Sequence, residues 1–323
     1  MKHCWEGNYL EQTVQSTSTA SRVSNPVMEP GPLSESPTGT WRDFVTVTKI
    51  GITLANMMTV FAGLWLASNG QAAGATIFYA LIGTALVIMA GTCLNNYIDR
   101  DLDKNMERTS KRALPSGRLN ATHVLWLGVA FAVVGTLILT FFVNPLTAFL
   151  GLIGLFDYVV VYTMWLKRTS TTSTIWGGVS GAVPIVMGWT AATGNMDFGA
   201  WVLFLWMFLW QPPHFLALAI RRAEDYGKAG IPLLPVVKGF EVTKRHMIRY
   251  VAAMVPVSFL MYLVPNVGYT YLITSLVLGF GWLVLSCVGF VVKDTIKWAR
   301  ISFVYSLIYL TVLSIVMIVE PYL

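Results

Sequence analysis

Asn95-Asn96-Tyr97-Ile98-Asp99-Arg100-Asp101-Leu102-Asp103-Lys104 follows directly on Ala72 to Leu94, a run that carries no charged residue. An apolar run of this kind predicts a helix that crosses a bilayer, which takes about 20 residues. Asn95, Asp99 and Asp103 recur at i, i+4 and i+8. If the helix continues, they form one polar stripe where it leaves the membrane. Asp101 lies about 200° around the helix from Asp99 and falls off that stripe. The next segment is basic, with Lys104, Arg108, Lys111, Arg112 and Arg118. Carboxylates beside a basic loop at a membrane surface point to a divalent metal and a polyphosphate. Mg²⁺ takes a few carboxylates together with substrate phosphate oxygens, while Arg and Lys hold the remaining phosphate charge.

The rest of the chain fits a membrane setting. Of 323 residues, 55% are hydrophobic and only 12% charged, with a mean hydropathy of +0.62, too apolar for an ordinary soluble domain. The sequence predicts an all-α polytopic membrane protein, a bundle of about nine transmembrane helices. The spans fall near 48–68, 72–97, 122–142, 145–166, 174–193, 199–220, 246–265, 270–292 and 301–319. All 22 Lys and Arg residues lie in the N-terminal arm, at the entry to the first span or in alternate cytoplasmic-side stretches between spans, ending with Lys293, Lys297 and Arg300 between the last two spans. The connections Ser68–Gln71, Val143–Pro145, Thr193–Gly199 and Pro265–Thr270 carry none. That asymmetry predicts a cytoplasmic N-terminus, cytoplasmic basic loops and an external C-terminus. The net charge of +6 then reflects topology. No soluble module remains to bind nucleic acid.

Residues 1–43 read as a disordered cytoplasmic arm rich in Ser, Thr, Pro and Glu, and 44–323 as the transmembrane domain. The arm lacks the apolar centre of a signal peptide. Before Arg42 it sets only Lys2 and Arg22 against Glu6, Glu11, Glu29 and Glu35, a poor fit to a mitochondrial targeting peptide. A bacterial plasma membrane is the expected location. Cys4, Cys93 and Cys287 show no metal-binding spacing and no disulfide framework.

The first motif continues as Met106-Glu107-Arg108-Thr109 and Arg112-Ala113-Leu114-Pro115-Ser116-Gly117-Arg118. It resembles the Asp-rich signature of the intramembrane, UbiA-type prenyltransferases. A second set narrows the likeness: Trp210-Gln211-Pro212-Pro213-His214-Phe215, Arg221-Arg222-Ala223-Glu224-Asp225-Tyr226 and Tyr162-Thr163-Met164-Trp165-Leu166-Lys167-Arg168. These resemble the protohaem IX farnesyltransferases, or haem O synthases. The wider superfamily carries a second Asp-rich motif where this chain has His214 and Arg221, with Glu224 and Asp225 as the remaining acids. The chain departs from the haem-modifying pattern at Lys49-Ile50-Gly51-Ile52, where Lys-Pro-Arg is usual, and at Asp157, an unexpected acid inside a span.

The resemblance implies a UbiA-type fold and farnesyl transfer from farnesyl diphosphate to a vinyl group of protohaem IX (haem b), with Mg²⁺ as cofactor. It implies Asn95, Asp99 and Asp103 as metal ligands, and Glu224 and Asp225 as ligands of a second site. Arg108, Lys111 and Arg112 join the stripe as catalytic candidates through the diphosphate. Lys167, Arg168, His214, Arg221, Glu224, Asp225 and Tyr226 are substrate-binding candidates. His214 reads either as a haem contact or as a partner for a carbonyl freed by Pro212-Pro213. Asp157 reads equally as functional or as locally paired. Expected partners are the lipid bilayer and a protein that hands over haem during oxidase assembly. The competing readings are a prenyltransferase for a quinone precursor or chlorin, and a transporter. Against the transporter, the acids gather at one membrane face rather than near the midplane.

Overall fold

The computed structural model describes residues 39–323. Most of the expected N-terminal arm therefore lies outside the described residues. The helices are α1 (Trp41–Val47), α2 (Ile50–Ala67), α3 (Gly74–Lys104), α4 (Glu107–Ser110), α5 (Ala121–Phe142), α6 (Pro145–Thr169), α7 (Ser173–Thr193), α8 (Phe198–Arg221), α9 (Ala223–Lys228), α10 (Leu234–Val237), α11 (Gly239–Tyr262), α12 (Tyr269–Val288) and α13 (Thr295–Val319). No strand occurs among the described residues. Among the described residues, eight helices are long and apolar enough to cross a membrane. α11 adds a ninth rod of 24 residues, whose first half carries Lys244, Arg245 and Arg249. The fold is the multi-pass α-bundle that the apolar runs predict.

Local sequence sets the helix starts. Asn120, Asn144, Asp197 and Asp294 each accept a backbone N–H from the first turn of α5, α6, α8 and α13, at 2.8–3.1 Å. These short polar side chains satisfy amides that have no intrahelical partner. Pro145 opens α6 where its missing N–H costs nothing. Large side chains such as Phe141, Phe149, Trp201 and Val277 stay exposed on the outside of the bundle, as lipid contact allows.

Two packing features position the site. A Cβ on Gly188 of α7 would collide with the Val60 carbonyl of α2, and one on Gly63 with the Ile185 carbonyl. The two backbones thus touch, which only small residues permit. On the other side of α8, fully buried Trp206, Trp282, Tyr271 and Tyr309 lock α8, α12 and α13 around one core.

α6 departs from the regular rod that the sequence predicts. From Asp157 to Leu166 it winds as a π-helix. Inside that segment the Thr163 hydroxyl donates to the Tyr158 carbonyl five residues back, at 2.7 Å. Asp157, at its start, accepts the Ser180 backbone N–H of α7 at 3.0 Å. The intramembrane acid is therefore locally paired, joining the π segment to α7.

Candidate active site

The last turns of α3 carry the stripe. Asn95, Asp99 and Asp103 are all buried, while Asp101 is exposed, as the helical angle requires. Each member of the stripe is met by a cation from a different segment. Lys49, between α1 and α2, donates to Asn95 Oδ1 at 3.0 Å. Lys167, from the end of α6, is ion-paired with Asp99 Oδ2, and Arg168 Nη2 stands 3.7 Å from Asp99 Oδ1. Arg112, from the loop after α4, pairs with Asp103 Oδ2 at 2.7 Å. Carboxylates buried at 2% exposure need such partners, since an uncompensated buried charge is costly.

Asn95 is held from several directions. Its Nδ2 donates to Asp99 Oδ2 at 2.8 Å and to the Thr163 hydroxyl at 3.1 Å. Thr163 is fully buried, and the π-helix brings its hydroxyl to α3. Asp99 Oδ1 is buried and accepts no hydrogen bond. A buried carboxylate oxygen without a hydrogen bond, beside a second carboxylate and an amide, is a donor set of the hard-oxygen kind that Mg²⁺ takes. Among the described residues, no three His, Cys, Asp or Glu side chains cluster closely enough to hold a metal on their own. The donor set therefore amounts to two acids and an amide.

Other candidates stand further out. Arg108 and Lys111 are exposed on the basic loop. Arg118 grips Asp43 of α1 through Nε at 3.2 Å and Nη2 at 3.1 Å. The Thr40 backbone N–H, and after it Arg118, hold the Asp43 carboxyl below its ordinary value. Glu224 and Asp225, expected as ligands of a second metal site, each have a cation beside them. Glu224 is exposed and pairs with Lys228 at 2.7 Å, which holds its carboxyl below the usual range. Asp225 lies 3.8 Å from Arg222. Tyr226 and Leu102 both pack against a buried cluster of Met106, Ala219, Ile231 and Leu233, which joins the α8–α10 connection to the end of the Asp-rich helix.

A second constellation sits on α8 and α13. The His214 ring is stacked between Trp210 and Phe303, with centroids 4.6 Å and 4.5 Å away. Its Nδ1 is 2.6 Å from the Ser306 hydroxyl. The freed carbonyls before Pro212-Pro213 are therefore not its partner. Arg221 lies over the other end of this stack, 5.4 Å from the Phe303 centroid. Sequence reasoning missed Lys49, Thr163, Phe303 and Ser306 as members of these groups. Thr163 and Ser306 are polar residues in apolar spans, a signal that asks for a partner but does not name it.

The family model for the UbiA prenyltransferase family matches residues 56–308. The protoheme IX farnesyltransferase of Alkalihalophilus pseudofirmus is 51% identical over 91% of this chain and 95% of its own length. Protoheme IX farnesyltransferase 2 of Bacillus subtilis is 44% identical over 93% of this chain and 98% of its own. Among solved structures, one described for digeranylgeranylglyceryl phosphate synthase superposes with a TM-score of 0.74 at 16% identity, covering 87% of this chain and 98% of that one. A UbiA homologue from Archaeoglobus fulgidus bound to DMAPP and Mg²⁺ superposes with a TM-score of 0.62 at 13% identity, covering 85% and 99%. The structural likenesses bear on the fold alone.

Proposed function

Because the chain belongs to the UbiA prenyltransferase family, in its protoheme IX farnesyltransferase branch, we propose that it transfers a farnesyl group from farnesyl diphosphate to a vinyl group of protohaem IX, yielding haem O and diphosphate. The observation that carries the reading is the buried stripe Asn95–Asp99–Asp103, with a cation on every member and one carboxylate oxygen that accepts no hydrogen bond.

Asn95, Asp99 and Asp103 are the residues that would hold Mg²⁺, and Asp99 Oδ1 accepts no hydrogen bond that the ion would have to displace. When bound, the ion neutralises charge that builds on the departing diphosphate. The chain supplies the rest. Arg112, Lys167 and Arg168 already stand at the carboxylates, and they donate to diphosphate oxygens as the allylic C–O bond breaks. Arg108 and Lys111 add positive charge from the solvent side. Tyr158 and Tyr162 stack with centroids 5.8 Å apart, against Gly91 of α3 and Gly177 of α7. Gly91 is one helical turn before Asn95, so these rings stand next to the position where the allylic carbon loses its leaving group. Aromatic faces stabilise positive charge in a dry cavity.

The acceptor reading rests on α8 and α13. Arg221, set above Phe303 at the edge of the buried ring stack Trp210–His214–Phe303, offers a cation for a propionate. Ser306 fixes the orientation of His214. Tyr226 of α9 and Leu102 of α3 pack against one apolar cluster. We place the basic face in the cytoplasm of a bacterial plasma membrane and the C-terminus outside, following the distribution of Lys and Arg. A haem-supplying assembly protein is the partner that this orientation suits.

The test is direct. Membranes containing the protein are incubated with haem b, farnesyl diphosphate and Mg²⁺, and the extracted haem is weighed by mass spectrometry. The expected product is heavier by one farnesyl group and one hydroxyl, the hydroxyl coming from water whose other proton is released with diphosphate. Unchanged haem, beside a working positive control, overturns the assignment.

A further inference from the structure

The basic loop after α4 is folded on itself. The Leu119 backbone N–H donates to the Ala113 carbonyl at 3.1 Å, the Ser116 hydroxyl donates to the Arg112 carbonyl at 2.6 Å, and Gly117 turns the chain at φ 76°. Arg118 completes the unit. Its Nη1 donates to the Ser116 hydroxyl at 2.9 Å, and its Nη2 to the Lys111 carbonyl at 3.2 Å. The same guanidinium also meets Asp43 of α1 through Nε and Nη2. One small unit therefore presents two arginines to two helices: Arg112 to Asp103 on α3, and Arg118 to Asp43 on α1.

α1 is itself fixed at both ends. At its start, Asp43 Oδ2 accepts from the Thr40 backbone N–H and from the Thr40 hydroxyl, both at 3.0 Å, which leaves Oδ1 for Arg118. At its end, Asn96 Nδ2 donates to the Val47 carbonyl at 3.1 Å and the Thr92 hydroxyl donates to the Thr48 carbonyl at 3.0 Å. The chain then turns into α2 through Lys49 at φ 48°, a left-handed conformation that glycine adopts more freely. Val47 shares a buried apolar cluster with Ala113, Leu114 and Leu119 of the loop. Among the described residues, the Arg118–Asp43 pair is the one polar link between α1 and the loop. Each partner is oriented beforehand by its own segment, so little side-chain entropy is lost when they meet.

Thr46 and Val47 of α1, with Arg112 and Ala113 of the loop, line one cavity of about 320 Å³ beside Asn96. The ion pair thus ties two walls of that cavity together. We propose that Asp43 is a positioning residue for the prenyl transfer: through Arg118 it fixes the loop, so that Arg112 stays at Asp103 within reach of the departing diphosphate. The inference rests on the function proposed above, which supplies that leaving group. Asp43 acts only through Arg118. Without its charge the loop keeps its internal hydrogen bonds and its apolar cluster but loses its polar tie to α1, and Arg112 is held less closely at the stripe.

Asp43→Asn is the discriminating variant, because an amide oxygen still accepts from Thr40 while the charge facing Arg118 is gone. Arg118→Gln removes the other partner. Both are made in the full-length protein, with melting temperature recorded beside the other measurements. Each is expected to raise KM for farnesyl diphosphate, and the Kd of inorganic diphosphate with Mg²⁺ measured by calorimetry, by about two- to fivefold, the scale of one exposed charged pair. KM for haem b should not move. The double variant should be no worse than either single one, because the same pair is lost in all three. In an Arg112→Gln background, Asp43→Asn should leave the diphosphate Kd where Arg112→Gln put it, since its effect passes through that arginine. Unchanged diphosphate affinity in a folded Asp43→Asn protein overturns the proposal. An Asp43→Asn effect that persists in full beside Arg112→Gln also overturns it, and marks a general loosening of this face. If wild-type protein binds neither farnesyl diphosphate nor inorganic diphosphate with Mg²⁺, the functional reading fails together with this one; if it binds both and the variants match it, the positioning role alone fails.

Discussion

Thr163→Val removes one oxygen from a fully buried position and leaves the side-chain shape almost unchanged. The hydroxyl has two partners: it donates to the Tyr158 carbonyl at 2.7 Å and accepts from Asn95 Nδ2 at 3.1 Å. Losing one buried hydrogen bond costs about 1–3 kcal/mol through the group left unpaired. The Asn95 amide keeps Asp99 on the same nitrogen and Lys49 on its oxygen, so it is loosened rather than released. Partners that orient a metal-ligating group typically change metal affinity or activity by about 10- to 100-fold, or about 1.4–2.7 kcal/mol. The two magnitudes agree. The assay is Mg²⁺ dependence of haem O formation at saturating farnesyl diphosphate. The half-saturating Mg²⁺ concentration is expected to rise by about that factor, with Thr163→Ser close to wild type. Wild-type Mg²⁺ dependence in a folded Thr163→Val enzyme would refute the claim that the π-helix orients the stripe through this hydroxyl.

Other outcomes follow from the same geometry. Asp99→Asn and Asp103→Asn should each lower product formation by at least about 10²-fold, with protease accessibility of the loops unchanged, because each removes a carboxylate from the stripe. Ser306→Ala should raise KM for haem b about fivefold, the worth of one ordinary hydrogen bond to His214 Nδ1, without moving KM for farnesyl diphosphate. Glu224→Gln should leave the Mg²⁺ requirement unaltered in a metal titration, since that carboxylate is exposed and turned to Lys228. Acid should release α1. Asp43 has a folded-state pKa below its ordinary 3.8, so its contribution is present above that value and is lost as pH falls through the folded one. Faster amide exchange in Trp41–Val47 at low pH is the signature, and Arg118→Ala should show it at neutral pH.

The stripe was legible because i, i+4 spacing at the end of an uncharged run has one helical meaning, and the structure buries Asp99 and Asp103 while exposing Asp101. The spans were legible for the same reason, down to α11, whose basic first half still leads into an apolar rod. What sequence periodicity could not show lies where the backbone leaves its usual period. The π-helix of Asp157–Leu166 shifts Thr163 onto α3, and no count in steps of 3.6 places it there. Lys49 occupies a conformation that propensity assigns to glycine, so its position comes from Thr92 and Asn96 on a helix over 40 residues away. Ser306 reaches His214 from 92 residues along the chain. Glu224 and Asp225 each stand beside a cation, Lys228 at 2.7 Å and Arg222 at 3.8 Å, neighbours that adjacent sequence already offered.

α3 has 31 residues, a rod of about 46 Å at 1.5 Å per residue, against a hydrocarbon layer of about 30 Å. Its acidic end therefore stands in the headgroup zone while its glycine-lined middle remains in oil. A farnesyl chain with an ionic head partitions the same way, each half in its own phase. Encounter between the two is a search in a plane, not in a volume. The concentration that governs the rate is the mole fraction of substrate in the bilayer. Diluting the membrane with inert lipid, at fixed bulk substrate, should slow the reaction as surely as removing substrate does.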